Sequence, residues 1–294
     1  MVKLKSHKNT DGTRIVEDSE TYNLTHLSPF KEFARGRLIH RDFNAHVFRW
    51  SHAAMVLFKN PQREQAAVLD IGCGPDWPLL TTLHSNGSAP AFFMGVDARD
   101  VSATAPKLTK TYVKCEQHDI TKSLPVPPTS GMFCAKEGKR DVNGTPVDGP
   151  EGESTYVKLC GGWDMIVCFE VLEHMPKESG LKLLDNIAAQ MGPNTTLLFS
   201  TPVFDEKVGM ADNHIYEWGY EELKVELEKR FTLKDHFGTF ASLRDYTPLM
   251  SEAELKLLAR LKDYYNSAMV SCLMAPLYPS KARNVLWQLT RSKS

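Results

Sequence analysis

Glu170, Glu173 and His174 stand within five positions of one another, and their side chains suit acid–base or metal chemistry. They directly follow the apolar run 165–169, which predicts a buried strand. Two carboxylates and an imidazole suit a hard or borderline divalent cation such as Mg²⁺, Mn²⁺ or Fe²⁺, and they leave coordination positions open. Such a cation lowers the pKa of a bound hydroxyl, and Glu170 or His174 could act as the catalytic base.

A fourth candidate ligand is His214, which lies further along the chain in the segment NHIYEW. This segment follows the predicted strand 195–202, and the loops after neighbouring parallel strands open at the same sheet edge. The sequence therefore predicts a metal site made of Glu170, Glu173, His174 and His214. The alternative interpretation is that Glu173 and His174 only cap or pair at the start of a helix.

A second stretch that could bind a ligand is AAVLDIGCG at residues 66–74. Its apolar run ends in Asp70, and Gly72 and Gly74 follow. This pattern predicts a buried strand and a turn at which a ligand can approach the backbone closely. A dinucleotide pyrophosphate needs the third glycine of G-x-G-x-x-G, which is missing here. Asp70 and Asp76 would also repel a phosphate, so the turn favours a cationic ligand.

Two more acids close the next two predicted strands. Strand 91–97 ends in Asp97, which is placed to accept both ribose hydroxyls of an adenosine. The shorter strand 111–119 ends in Asp119, which is positioned to hydrogen-bond an adenine amine. Either acid alone could be a solvated loop residue, but the series of strand-end acids predicts an adenosine-containing ligand.

Helical and strand patterns alternate along the rest of the chain, which predicts an α/β fold with seven strands. Helices are predicted at 37–58, 178–191, 219–230 and 251–265, and later strands at 231–240 and 284–291. Ser251 and Glu254 have the spacing of a capping box. A loop insertion is predicted at 123–162, within which 156–159 fits a short strand, and a helical insertion is predicted at 241–283, both within a domain 63–294.

Residues 1–62 are predicted to form an N-terminal helical extension that covers the domain. The apolar face predicted for its helix contains Phe43, Val47, Trp50, Ala54 and Leu57. Arg41 and Arg49 fall off that face, and residues 31–63 contain seven Lys or Arg against two acids. One interpretation is a packed helix with a solvated basic side, and the other is a cover over the cofactor or a contact for an acidic substrate.

Bulk properties limit the possible partners. The chain of 294 residues has a formal net charge of −1, so no global basic field indicates nucleic acid. Its six cysteines form no C-x-x-C pair, which favours reduced thiols in a cytoplasmic protein. The start MVKLKSHKNT has no apolar stretch typical of a signal peptide, and no apolar run is long enough for a membrane span. The oligomeric state stays open.

Together, VLDIGCG, Asp97, Asp119, FEVLEHMP and LLFSTP resemble class I S-adenosylmethionine-dependent methyltransferases from about residue 65 to 291. The resemblance implies a Rossmann-like, seven-stranded, mostly parallel sheet with helices on both faces and an antiparallel last strand. It also implies methyl transfer from S-adenosylmethionine. The implied cofactor contacts are Asp70, Gly72 and Gly74 to methionine, Asp97 to ribose, Asp119 and Ile120 to adenine, and Phe169 beside the sulfonium. Pro75-Asp76-Trp77 departs from the family, because many relatives carry a further glycine there.

Two groups of methyltransferases share the acid–histidine pattern. Ubiquinone-biosynthesis-type O-methyltransferases are similar at FEVLEH. Small-RNA 3′-end 2′-O-methyltransferases are similar at FEVLEH and at NHIYEW, where that family has a metal-binding histidine. The expected function is O-methylation of a hydroxyl acceptor, with assistance from the predicted metal site. The acceptor class stays open: the near-neutral charge favours a small molecule, and the acid–histidine set with the basic stretch 31–63 favours RNA. The alternatives are RNA 2′-O-methylation and a non-catalytic, cofactor-binding interaction module.

Overall fold

The computed structural model describes residues 6–8, 14–16, 41–106, 108, 111–135, 155–159 and 161–292. The strands in this part of the chain are β1 (Ser6–Lys8), β2 (Arg14–Val16), β3 (Ala67–Ile71), β4 (Phe92–Asp97), β5 (Tyr112–Gln117), β6 (Gly131–Ala135), β7 (Thr155–Leu159), β8 (Met165–Phe169), β9 (Thr196–Pro202), β10 (Phe231–Phe240) and β11 (Asn284–Arg291). The helices are α1 (Arg41–Phe58), α2 (Pro78–Ser85), α3 (Lys177–Gln190), α4 (Tyr220–Glu228), α5 (Leu243–Tyr246), α6 (Glu252–Lys262) and α7 (Ser267–Met274).

Seven strands form one sheet in the order β10-β11-β9-β8-β3-β4-β5. The neighbours β9, β8, β3, β4 and β5 run parallel, whereas β11 is antiparallel to both β9 and β10. This topology confirms the predicted Rossmann-like sheet with its antiparallel last strand. Strand order reverses between β3 and β8, and ligands in such sheets bind beyond the carboxyl ends of the strands at that point.

Two hydrophobic clusters cover the opposite faces of the sheet. In β3 every residue is buried, and Val68 belongs to one cluster whereas Leu69 and Ile71 belong to the other. This two-sided burial explains why the strand is a continuous apolar run rather than an alternating one. The predicted helices on both faces are therefore confirmed.

Helix α1 packs against α2, α7 and β10. Its buried stripe consists of Ala45, Arg49, Ala53 and Leu57, spaced four residues apart. The predicted face was therefore partly wrong: Ala54 and Leu57 are buried, whereas Phe43, Val47 and Trp50 are only half-buried. Assignment of Arg49 to a solvated side was also wrong, because internal partners described below keep its charge inside the protein.

Several elements lie where the sequence predicted no secondary structure. β1 pairs with β2 in the N-terminal extension, and β6 pairs with β7 in the 123–162 insertion, both antiparallel. The prediction for that insertion had only a short strand at 156–159 and missed β6. The capping box of Ser251 and Glu254 is confirmed at the start of α6, which ends at Lys262 rather than at 265.

The described residues omit part of what the sequence analysis discussed. Residues 31–40 and the side chain of Arg41 lie outside them, as do the side chains of Cys134 and Cys160. Cys73, Cys115, Cys168 and Cys272 carry free thiols. Within the ranges described, every helix is too short or too polar to cross a membrane.

Candidate functional site

A cavity of about 1210 Å³ opens beyond the carboxyl ends of the central strands. Its lining includes all the site residues predicted from the sequence, namely Asp70, Gly72, Gly74, Asp97, Asp119, Ile120, Phe169, Glu170, Glu173, His174 and His214. Residues from β3, β4 and β8 thus meet in one space, as the strand-end argument requires.

The turn after β3 depends on its two glycines. Gly72 and Gly74 have φ values of +77° and +64°, a backbone conformation that side chains disfavour. A Cβ atom on Gly72 would lie 2.5 Å from Cγ2 of Val171, whereas one on Gly74 would have no neighbour within 4 Å. Gly72 therefore permits close packing of the turn on the β8 loop, and Gly74 leaves backbone open to the cavity.

Trp77 belongs to the segment Pro75-Asp76-Trp77, in which the family resemblance predicted a further glycine. It is buried, with a left-handed φ of +49°, and its Nε1–H donates to Oγ1 of Thr104 at 3.2 Å. A Cβ atom on Gly95 of β4 would overlap the Trp77 ring, so the ring occupies the space left by that glycine. Where the sequence departs from the family pattern, an aromatic side chain thus packs next to the glycine turn.

Two buried carboxylates close this end of the cavity. Burial and the nearby charge of Asp97 raise the pKa of Asp70 to about 7. Asp97 Oδ2 accepts the Gly74 N–H at 3.2 Å, and its Oδ1 accepts the Arg99 N–H and Nε–H at 3.0 Å each. A cationic ligand would favour ionisation of Asp70, whereas a phosphate would oppose it.

Asp119 and Ile120 lie on the loop after β5. Asp119 accepts the Thr121 hydroxyl at 2.7 Å and the Thr121 N–H at 3.1 Å. These hydrogen bonds and Lys122 lower the pKa of Asp119 to about 2. Ile120 packs against the core, and its carbonyl accepts Nδ2–H of Asn186 at 2.9 Å. The loop is therefore held in a fixed shape, and its contact with adenine stays a prediction.

Three of the four predicted metal ligands come together. Glu173, His174 and His214 each offer an atom, and these atoms lie within 4.8 Å of one another. Oε1 of Glu173 is 3.9 Å from Nε2 of His174, and the two imidazole centroids are 5.2 Å apart. One carboxylate with two imidazoles is a donor set suited to a divalent first-row metal ion.

Both imidazoles are held through Nδ1. His174 Nδ1–H donates to the carbonyl of Asn213 at 3.1 Å, and His214 Nδ1–H donates to Oε1 of Glu217 at 2.5 Å. Each Nε2 is thereby left with its lone pair, which is how metal-binding histidines are usually oriented. The sequence analysis missed Glu217, although its three-residue spacing from His214 was a usable signal.

The environment of Glu173 opposes its negative charge. The residue is 1% exposed, and its Oε2 accepts the Thr201 hydroxyl at 3.0 Å. Burial and the charge of Glu170 raise the pKa of Glu173 well above its usual range. Burial and the neighbouring His214 lower the pKa of His174. A cation bound there would stabilise the Glu173 carboxylate.

Glu170 lies apart from this cluster. Its carboxylate accepts the Ser200 hydroxyl at 2.8 Å and Nδ2–H of Asn284 at 2.8 and 2.9 Å. Nη2 of Arg49 is 3.7 Å from its Oε2. Burial opposes ionisation, but the Arg49 charge and these hydrogen bonds outweigh it and lower the pKa of Glu170. The structure thus joins Glu170 to an internal network rather than to the three potential metal ligands.

Arg49 is the cation of that network, and it is 1% exposed. Its Nη1 donates to Thr239 Oγ1 at 3.2 Å and to Asn284 Oδ1 at 2.9 Å, and its Nη2 contacts Nδ1 of His46 at 2.8 Å. The network therefore joins α1 to the strand β8 through residues of β10 and β11. Sequence reasoning missed this role of Arg49, although the small residues four positions before and after it were a signal of burial.

Comparison with known proteins addresses the family. A model described as a methyltransferase domain matches residues 43–260, so the match begins within α1. No curated protein matches the sequence significantly.

Several solved structures are similar in fold. The N-methyltransferase NodS from Bradyrhizobium japonicum, in complex with S-adenosylhomocysteine, is 13% identical, with a TM-score of 0.43 over 83% of this chain and 87% of that chain. Magnesium protoporphyrin IX methyltransferase from Synechocystis is 12% identical, with a TM-score of 0.47 over 84% of each chain. The small RNA methyltransferase HEN1 is 16% identical, with a TM-score of 0.49 over 85% of this chain and 25% of that chain. Because the family model spans most of its length, the chain belongs to the methyltransferase domain family.

Proposed function

We propose that the protein transfers the methyl group of S-adenosylmethionine to a hydroxyl oxygen, assisted by a divalent cation held by Glu173, His174 and His214. The observation that carries the proposal is the convergence of these three ligand atoms within 4.8 Å, in the same cavity as the glycine turn. Of the ions expected from the sequence, Mn²⁺ and Fe²⁺ suit two imidazoles and one carboxylate better than Mg²⁺, which prefers oxygen ligands.

The cofactor half of the proposal rests on charge. S-adenosylmethionine carries an ammonium and a sulfonium, and the turn that would receive it presents Asp70 and Asp97, both less than 10% exposed. Asp97 already fixes the turn through the Gly74 N–H, and ribose hydroxyls would be further donors to the same carboxylate. Phe169, at the end of β8, lines the same cavity as the turn and the histidines, which supports its proposed place beside the sulfonium.

The chemistry asks mainly for alignment. A sulfonium is already a reactive methyl donor, so the protein must hold the acceptor oxygen in line with the methyl carbon and the sulfur. A divalent cation supplies positive charge that lowers the pKa of the acceptor hydroxyl. Glu170 and His174 are the proposed catalytic residues. Glu170, a carboxylate at the cavity wall, would accept the proton of the acceptor hydroxyl when the cation is bound, and His174 would accept it in a cation-independent reaction.

The test uses His214→Ala with a matched histidine control. We expect His214→Ala to abolish Mn²⁺ binding, measured by electron paramagnetic resonance, and to reduce methyl transfer at least about 100-fold, the scale of losing an essential group. Its affinity for S-adenosylmethionine should change by less than about twofold, because no predicted cofactor contact is altered. His84→Ala removes an exposed imidazole outside the cavity and should behave as wild type.

Acceptors for this assay come from small-molecule and RNA extracts incubated with labelled S-adenosylmethionine and read by mass spectrometry. Activity should disappear in EDTA and return with one of the three ions. Full turnover in excess EDTA, or full turnover by His214→Ala, would contradict the proposed role of the cation. His174 would then remain the candidate base for the acceptor hydroxyl. Which extract becomes labelled decides between the small-molecule and the RNA 2′-O acceptor. The non-catalytic alternative is disfavoured by the membership of the methyltransferase family.

A further inference from the structure

A smaller cavity of about 360 Å³ adjoins the main one on the side of the loop after β9. The residues that line both cavities are Val203, Asp205, Arg244 and Arg283. Because these four residues border both cavities, a group bound in the smaller cavity would lie next to the main one.

The two carboxylates of the smaller cavity are already committed. Arg283 Nη1 is 2.6 Å from Oδ2 of Asp205, and Arg283 Nη2 is 2.8 Å from Oδ2 of Asp245. Nε–H of Arg283 also donates to Oδ2 of Asp245, at 3.1 Å. One arginine thus bridges both aspartates and neutralises half of their charge, which fixes the loop after β9 against α5.

Three other cations line the same cavity: Lys207, Arg244 and Lys281. All three are exposed, and none of their charged groups has an ion pair or hydrogen bond with another described residue. Four cations against two carboxylates leave the lining with two more positive than negative charges. Positive charge gathered without internal partners is typical of a surface that receives an anion.

We propose that this smaller cavity, which we call the basic annex, binds a phosphate group of the methyl acceptor. The inference rests on the proposed function and deepens it by naming the substrate class. A phosphate offers three or four acceptor oxygens to Arg244 and the two lysines, and arginine matches its geometry with paired N–H groups. Its negative charge would be repelled from the acidic turn of Asp70 and Asp97, so the annex also orients the acceptor relative to the cofactor.

The test measures binding without catalysis. S-adenosylhomocysteine is added to saturation so that the adenosine pocket is filled, and EDTA is added so that no metal site contributes. The two probes are adenosine 5′-monophosphate, measured by calorimetry against adenosine, and a fluorescein-labelled single-stranded RNA of about ten nucleotides, measured by anisotropy at several salt concentrations.

The variant is the double substitution Arg244→Gln with Lys281→Gln. We expect it to raise the Kd of the bound probe at least about tenfold and, for RNA, to reduce the salt slope by about two. Lys262→Gln removes an exposed cation of α6 outside both cavities, so it should leave the Kd unchanged. Thermal melting checks that each variant is folded.

Each result has a defined meaning. Binding of RNA that depends on Arg244 and Lys281 identifies a nucleic-acid phosphate as the source. Binding of the mononucleotide alone identifies a small phosphate monoester. The proposal is overturned if neither probe binds, or if the double variant binds the probe as tightly as the wild type. The metal-dependent proposal is unaffected by that failure, because neither metal nor methyl transfer enters this measurement.

Discussion

The two ends of the cavity are built in different ways. The end that we propose for the cofactor, called the cofactor end here, comes from short, local pieces: a strand end, a glycine turn and the acid at the end of the next strand. It presents the carboxyl groups of Asp70 and Asp97, the second of which pairs with Arg99. The end that we propose for the acceptor, called the acceptor end, is assembled from distant parts of the chain: Arg49 on α1, Glu170 after β8 and Asn284 on β11. Its chemistry therefore depends on the packing of the whole domain.

This difference predicts how each end responds to damage. A change in the cofactor turn alters a local conformation, and its effect should stay within ligand binding and a modest stability cost. A change in the network around Arg49 and Glu170, whose side chains are 1% and 21% exposed, removes a partner from charges that are largely shielded from water, and such losses are among the largest known for single substitutions.

The largest expected effect is that of Arg49→Met. This substitution keeps much of the side-chain volume but leaves Glu170, whose side chain is 21% exposed, without its cation, so we expect the free energy of unfolding to fall by about 2–4 kcal/mol. Urea denaturation measures this loss. Arg260→Met removes an exposed arginine paired with Asp263 on α6, and it should cost less than about 0.5 kcal/mol.

If Arg49→Met and Arg260→Met cause equally small losses of stability, the expected difference between the two regions is wrong, because Arg49 would then contribute no more than a surface charge. Arg49→Lys separates the contribution of the charge from that of the hydrogen bonds. A lysine keeps the charge but cannot donate to Thr239, Asn284 and His46 from one planar group, so its loss should lie between those of wild type and Arg49→Met.

The same difference explains what the sequence could predict. The strands of the sheet, their succession along the chain and the acids that line the cavity can be predicted from local patterns. An apolar run, a glycine turn and an acid are visible within ten residues. The convergence of Glu173, His174 and His214 also followed, since parallel strands open their loops on one edge.

The network around Arg49 and Glu170 could not be predicted in the same way. Nothing within a few residues of Arg49 indicates that Thr239 and Asn284 will meet it across the fold. Glu170 was assigned to the metal because it is a neighbour in sequence of Glu173, but its backbone φ of +57° and the partners Ser200 and Asn284 direct it elsewhere. Long-range pairing of polar side chains leaves no periodic signal.

A smaller effect is expected from Gly72→Ala, which sharpens the description of the cofactor end. The new Cβ would lie 2.5 Å from Val171 in a left-handed backbone, so we expect a stability loss of about 2–3 kcal/mol. Gly74→Ala is the matched control, because it has a similar φ and no neighbour within 4 Å. It should cost about 1 kcal/mol of stability while weakening S-adenosylmethionine binding, since its Cβ faces the cavity.

Calorimetry of S-adenosylmethionine binding and urea melts separate these two effects. Equal stability losses for Gly72→Ala and Gly74→Ala would show that contact with Val171 is not what requires the first glycine.

The smallest expected effect concerns Asp70 and pH. The folded protein raises the pKa of this carboxyl from 3.8 to about 7, so the native state binds more protons than the unfolded state between these values. Stability contributed by Asp70 is therefore present at low pH and is lost as the pH rises through about 7. A shift of this size corresponds to about 4 kcal/mol, and Asp70→Asn removes it but buries an amide, which costs about 1–3 kcal/mol when unpaired. We therefore expect Asp70→Asn to raise the free energy of unfolding at about pH 8 by about 1–2 kcal/mol.

The same substitution should weaken binding of S-adenosylmethionine, because a neutral amide cannot balance the cationic ligand. Cofactor affinity of the wild type should rise as Asp70 ionises near pH 7, whereas that of Asp70→Asn should not change there. Calorimetry across this range, in buffers of different ionisation enthalpy, also counts the proton that Asp70 releases on binding. If Asp70→Asn is more stable than the wild type and binds S-adenosylmethionine more weakly, the buried charge of Asp70 destabilises the free protein and stabilises the complex. If Asp70→Asn is destabilised at high pH and binds as well as wild type, Asp70 serves only the fold, and the acidic character of this end has another cause.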